Sequence, residues 1–213
     1  MASLNILYED NHIIVVEKPV NVPVQADESS DEDMLTLIKN YLREAYQKPG
    51  NIFVGLIHRL DRPVGGVMVF AKTSKAASRL SDQVRTHQLQ KVYQCITIKQ
   101  PKTGQYRDKL LKDTKTNTVK VDSRGKDSIL TVIDVTPLGN RYLSTIELKT
   151  GRSHQIRVQF ASRHTPLWGD QRYNPEAVPP QQIALWAVSL TFEHPTKKEK
   201  MTFTSHPPKQ YPW

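Results

Sequence analysis

Apolar residues fall along this chain in two rhythms: short continuous runs that suit strands, and stretches spaced by three and four that suit helices. The opening NILYEDNHIIVVEKPVNVPVQ predicts a short strand, a turn at Glu9–Asn11, and a buried strand HIIVVEK that Pro19 ends. The acidic run Asp27 to Asp33, DESSDED, predicts a loop and the N-cap region of a helix over MLTLIKNYLREAY. Leu35, Ile38 and Leu42 recur there at helical spacing, and Pro49-Gly50 closes the unit. IFVGLIHRLD and GVMVFAKT are apolar segments of strand type. Ser74 is expected to cap a helix over KAASRLSDQVRTHQ.

QKVYQCITIK then reads as a strand, followed by a basic hairpin. SILTVIDVTPLG and YLSTIELKTG form two more strands around a Pro/Gly/Asn turn. Ser153 is a candidate N-cap for a helix over HQIRVQFASR, with Ile156 and Phe160 on one face. IALWAVSLTFEHPTKKEKMTFTSHP predicts a closing strand pair around a His-Pro turn. Strands outnumber helices without regular βαβ alternation, so the expected class is α+β, a mixed, mainly antiparallel sheet with flanking helices. No repeat, linker or composition break divides the chain, and one domain over residues 1–213 is expected.

Composition narrows the function. No stretch approaches the roughly 18 consecutive apolar residues of a membrane span, mean hydropathy is −0.53, and acidic residues stand where a secretory signal would carry its apolar run. A cytoplasmic location and no membrane partner are expected; monomer is the default. One cysteine, Cys95, excludes an internal disulfide and any multi-cysteine zinc site. The seven histidines show no metal-ligand spacing, so no metal is expected. Thirty Lys and Arg against 21 Asp and Glu give a net charge of +9, which favours a polyanion, nucleic acid first. The charge is uneven: residues 99–126 include Lys109, Lys112 and Lys115 and only three Asp. That stretch is either a solvated hairpin or a phosphate-contacting arm.

Three clusters can carry chemistry. In GLIHRLDRPVGG a lone carboxylate, Asp61, stands between Arg59 and Arg62. If extended, the segment puts Arg59 and Asp61 on one face and His58, Leu60 and Arg62 on the other. Flanking guanidinium groups favour the ionised carboxylate, a base or nucleophile, but such clusters also serve as structural pairs. In LKTGRSHQIRVQFASRHTPLWGD, Arg152, His154, Gln155 and Arg157 crowd the expected helix start, whose free N–H groups favour an anion. In LQKVYQCIT a strand places Lys91, Tyr93 and Cys95 on one face; Tyr93 is either a core aromatic or a platform for an unstacked base.

Taken in order, these stretches resemble the motifs of the RluA-type pseudouridine synthases. IIVVEKPVNVPVQ resembles the opening motif, HRLDRPVGGVMVFAKT the catalytic-aspartate motif and LQKVYQCIT the tyrosine motif. LKTGRSHQIRVQFASRHTPLWGD resembles the arginine motif, and FEHPTKKEKMTFTSHPP the C-terminal strand pair. The resemblance implies the pseudouridine synthase fold, an RNA partner (ribosomal or transfer RNA) and no cofactor. It implies Asp61 as the catalytic aspartate acting at the ribose of a target uridine, and Arg59 as the residue entering the RNA as the base swings out. Tyr93 would stack on the flipped base and Arg157 would ion-pair with Asp61. Gly65 stands where the family often has Ser, so a looser turn with no loss of activity is expected. The chain begins directly at the catalytic core, and no N-terminal S4 domain is expected.

The chemistry is consistent with a single carboxylate. Glycoside hydrolysis uses two, but an isomerase that keeps its leaving uracil hands nothing to water. Asp61 either attacks C1′ or removes the C2′ proton, and both roles need it ionised. The alternatives are an RNA-binding protein of the same fold with lost activity, and a glycosidase, which the missing second carboxylate disfavours.

Overall fold

A computed structural model of the chain describes residues 4–47 and 50–213, which leaves Pro49 of the expected Pro49-Gly50 stop outside the described residues. The chain folds as two compact units: unit 1 holds residues up to 89 together with 188–206, and unit 2 holds 90–187 with 207–213. Among the described residues, no helix is long and apolar enough to cross a membrane.

Unit 1 is built on β1 (Asn5–Glu9), β2 (Ile13–Lys18), β4 (Gly65–Ala71) and β10 (Leu185–Glu193), in that order across the sheet. The two-residue β3 (Gly55–Leu56) adds to β4, and β11 (Lys200–Thr204) pairs antiparallel with β10. Strand β4 is buried at every residue, as the unbroken apolar run GVMVFA requires of a strand covered on both faces. Ile13, Val15, Val67, Val69 and Ala71 pack with Ala76, Leu80, Leu190 and Phe192 into one core. Helix α1 (Met34–Tyr46) is capped by Asp33, whose carboxylate accepts from the N–H of Leu35 and Thr36. Its buried stripe is Met34, Ile38 and Leu42, so Met34 replaces the expected Leu35. Helix α2 (Ser74–Arg85) starts one residue earlier than read, because the Thr73 hydroxyl accepts the Ala76 N–H at 3.2 Å and makes Thr73 the cap.

Unit 2 holds an antiparallel run of strands in the order β5 (Gln90–Thr97), β9 (Arg141–Leu148), β8 (Lys126–Leu138), β6 (Gly104–Asp113) and β7 (Thr118–Val121). The α+β class with a mainly antiparallel sheet and three helices is the one the pattern predicts. Helix α3 (Gln155–Ala161) is shorter than expected. Ser153 does not cap it: His154 occupies the cap position at φ 50° without a side-chain cap bond. The Gln155 amide does the local work instead, its Oε1 accepting from the Arg152 N–H at 3.1 Å and the Thr150 hydroxyl at 2.8 Å.

Candidate active site

In unit 1 the segment around Asp61 is a turn between two buried anchors, Leu60 and Val64, and not a strand. The Val64 N–H donates to the Asp61 carbonyl at 2.9 Å, closing the turn. Pro63 accounts for the departure from the extended reading, since it has no N–H for a ladder and ends pairing before β4 begins. Gly65 and Gly66 belong to β4, where Gly66, at φ +123° opposite Lys18, uses a conformation glycine adopts freely. No loose turn forms at Gly65.

The turn is held from beneath by a residue that the sequence pattern did not single out. Lys18, at the end of β2, is fully buried, and its Nζ donates to the carbonyls of Pro19 (2.8 Å) and Arg62 (2.9 Å). The Asn21 N–H donates to the same Arg62 carbonyl at 2.9 Å. Burial pushes the Lys18 ammonium down to about 7; the Asp61 charge opposes that shift and the Arg62 charge adds to it. The Arg62 guanidinium bridges to Asp27 (3.4 Å) and Asp31 of the acidic loop and donates to the Asn21 carbonyl at 3.1 Å. His58 Nε2 accepts the Val69 N–H at 3.3 Å, tying the segment to β4. Arg59 is exposed and Asp61 half-buried.

In unit 2, β5 alternates over Lys91 to Cys95, with Lys91, Tyr93 and Cys95 buried and Val92 and Gln94 half-buried, whereas Ile96, expected on the face of Val92 and Gln94, is buried as well. Burial pushes the Cys95 thiol pKa up, which makes it an inert core residue. Arg157 on α3 is forked by Asp170, Nε to Oδ2 at 2.9 Å and Nη2 to Oδ1 at 2.7 Å, with both side chains almost wholly inaccessible. The sequence reading did not single out Asp170. The available signal was LWGD: Gly169 sits at φ +67°, where an added Cβ would meet the Gln182 carbonyl oxygen at 2.4 Å, so the chain is sharply bent just before this carboxylate. Tyr173 is a second residue missed. Its ring centroid lies 5.2 Å from the Arg157 guanidinium, and its hydroxyl accepts the Val119 N–H at 2.9 Å and bonds His154 Nδ1 at 2.7 Å.

Of the other expected RNA contacts, Arg152 is exposed, with Nε donating to the Asp127 carbonyl at 3.0 Å. Gln155 is buried with its amide engaged inside unit 2, Nε2 donating to Gln159 at 3.0 Å, which braces the start of α3. Lys109 and Lys112 stand exposed on β6, and Lys115 on the β6–β7 turn. Their ammonium groups form no ion pair among the described residues. The arm's own carboxylates are occupied: Asp122 by Arg124 at 2.8 Å and Lys120 at 3.5 Å, Asp113 by the Lys115 N–H at 2.9 Å, and Asp108 by Arg163 at 2.8 Å. Arg172 pins the hairpin tip through the Asn117 carbonyl at 2.6 Å.

Comparison with known proteins extends over both units. A family model described as RNA pseudouridylate synthase matches residues 12–162. "Ribosomal large subunit pseudouridine synthase D" of Zymomonas mobilis is 30% identical over 222 residues, covering 96% of this chain and 69% of that protein. The protein of the same name from Vibrio cholerae is 31% identical, covering 94% of this chain and 66% of its own length. An "Uncharacterized RNA pseudouridine synthase" of Aquifex aeolicus is 31% identical, with 98% of this chain covered. The chain thus spans about two thirds of the length of these curated relatives. Among solved structures, "Human RNA Pseudouridylate Synthase Domain Containing 4" aligns with a TM-score of 0.80 at 19% identity over 96% of this chain and 89% of that one, a likeness of fold.

Proposed function

This chain belongs to the RNA pseudouridylate synthase family, and from that premise we propose that it isomerises uridine in structured RNA to pseudouridine. The names of its relatives make large-subunit ribosomal RNA the first substrate to test, with transfer RNA the second. The observation that carries the reading is the setting of Asp61: a half-buried carboxylate on a turn whose backbone a buried ammonium fixes at the next residue. Catalytic groups need such rigid support, because small displacements of a reacting atom cost large factors in rate.

The reaction breaks N1–C1′, turns the uracil and joins C5 to C1′. Asp61 acts at the ribose as the carboxylate. Tyr93 stacks on the displaced base, Arg59 enters the RNA in its place, and Arg157 supplies the guanidinium the site requires. Unstacking costs a few kcal/mol, which such contacts must offset. The arm carrying Lys109, Lys112 and Lys115 holds phosphate.

The test is tritium release from 5-³H-uridine RNA. Wild type is expected to release it and Asp61→Asn to release none. A mutant as active as wild type overturns the assignment of Asp61. Wild type inert on total cellular RNA, yet still binding it, leaves an RNA-binding protein of the same fold; free uracil in the products makes the enzyme a glycosidase.

A further inference from the structure

Lys91 is an ammonium without an anion. It lies on β5 two residues before Tyr93, and strand alternation puts the two side chains on one face. Its relative exposure is 9%, and among the described residues no hydrogen bond or ion pair reaches its Nζ. The charged groups nearby are engaged elsewhere. Glu147, opposite Val92 on β9, belongs with the other face of the strand and pairs with Lys149 at 2.7 Å. Arg152 serves the Asp127 carbonyl, and Arg157 the Asp170 carboxylate. Burial alone lowers the Lys91 pKa, with no charged group contributing.

The contrast with Lys18 is informative. That ammonium is deeper; its Nζ donates to two carbonyls, and the charge of Asp61 offsets part of its burial. Lys91 Nζ has no protein acceptor and no carboxylate among the described residues. Burying a cation with no protein partner is destabilising, and perturbed charged groups cluster at functional sites. The space around Nζ is also kept open: a Cβ on Gly151, an exposed residue opening GRSHQIR, would come within 3.3 Å of it.

We infer that Lys91 is a catalytic residue that donates a hydrogen bond to a carbonyl oxygen of the target uracil stacked on Tyr93, stabilising the charge this ring carries once N1–C1′ has broken. The inference rests on the proposed function. Residues two apart on a strand face are about 7 Å apart, so a ring lying on Tyr93 presents a carbonyl within a lysine's reach. When N1–C1′ breaks, the bonding pair leaves with the uracil and spreads over N1, C5 and the two carbonyl oxygens. The C5–C1′ bond then forms from that pair; C5 gives its proton to solvent and N1 takes one up, so the product is an isomer and no redox partner is needed. Lys91 keeps its proton throughout. A phosphate contact fits less well, because phosphate is met by exposed cations such as those of the arm.

The experiment compares wild type with Lys91→Met in single-turnover tritium release, in RNA affinity across salt, and in thermal unfolding. Loss of one such donor is expected to slow the chemical step about 100-fold with RNA affinity and salt slope unchanged. Removing an uncompensated charge raises Tm. Because the neutral amine cannot stabilise the ring anion, the wild-type rate falls on the alkaline side at a pH below the ordinary lysine range; Lys91→Met lacks that limb. A variant with the wild-type rate overturns the inference. So does weaker binding with a shallower salt slope at unchanged rate, which makes Lys91 a phosphate contact, and so does a lower Tm, which makes it a structural cation. An inert wild type overturns the function itself, whereas an active wild type with an equally active variant overturns only the role of Lys91.

Discussion

Lys18 enters the core at the end of an apolar strand, and its protonation is linked to folding. In the unfolded chain a lysine titrates near 10.4; in the fold burial holds Lys18 at about 7. Between those values the unfolded chain carries a proton that the folded chain has released, so stability rises with pH across the interval, by roughly 1 kcal/mol per pH unit. Below about 7 both states are charged and the full cost of burial stands. Lys18→Met removes this dependence: the difference in urea-unfolding free energy between wild type and variant shifts steadily in favour of wild type from about pH 7 to 10. A difference that stays constant over that range shows that Lys18 remains charged in the fold. Asp170 obeys the opposite logic. It neutralises a buried guanidinium, and Asp170→Ala is expected to destabilise the protein by about 3–5 kcal/mol in the same measurement; a loss under about 1 kcal/mol shows that the fork on Arg157 is dispensable. Neither residue was legible as a site residue beforehand. Hydrophobic patterning treats Lys18 as a polar strand end, and the pairing of Asp170 with Arg157 exists only after Gly169 bends the chain. The motifs that carry Asp61, Tyr93 and Arg157 are local and can be read without the fold.

Elements were legible where periodicity was strong and shifted where caps decide. Strands β2, β4, β5, β8 and β9 follow their apolar runs, and α1 begins behind the acidic loop as its pattern requires. HRLDR is the exception: its alternation suits a strand, but Pro63 and the bonds from Lys18 and Asn21 to the Arg62 carbonyl fold it into a turn. At α2 two hydroxyls stand side by side, and cap propensity favours Ser74 over Thr73. Geometry decides for Thr73, because only the Thr73 side chain receives the Ala76 N–H. Thr73→Ala is therefore expected to lower stability by about 1 kcal/mol, while Ser74→Ala, inside the first turn, changes it by less than about 0.5 kcal/mol. Equal effects in thermal unfolding return the cap to Ser74.

For the whole molecule, the division into units was hidden by chain order. Unit 1 is completed by residues 188–206, nearly a hundred positions after the chain leaves it at Leu89, and composition does not change at either crossing. Net charge, in contrast, needs no fold to be read: +9 predicts affinity for polyanions before any site is known. The structure separates cations available to a partner from those already engaged. Arg62, Arg124, Lys149 and Arg157 each face a carboxylate, whereas Lys109, Lys112 and Lys115 stand exposed on the arm. Each phosphate neutralised contributes about 0.7 to 0.9 to the slope of log affinity against log salt. Changing all three lysines to glutamine should thus weaken RNA binding and flatten that slope by about 2. The single-turnover rate at saturating enzyme should hold, because the role proposed for the arm is to hold phosphate and not to act on the reacting atoms. Filter binding at several salt concentrations measures the slope. If it equals that of wild type, the hairpin is merely solvated and the RNA is held by other cations.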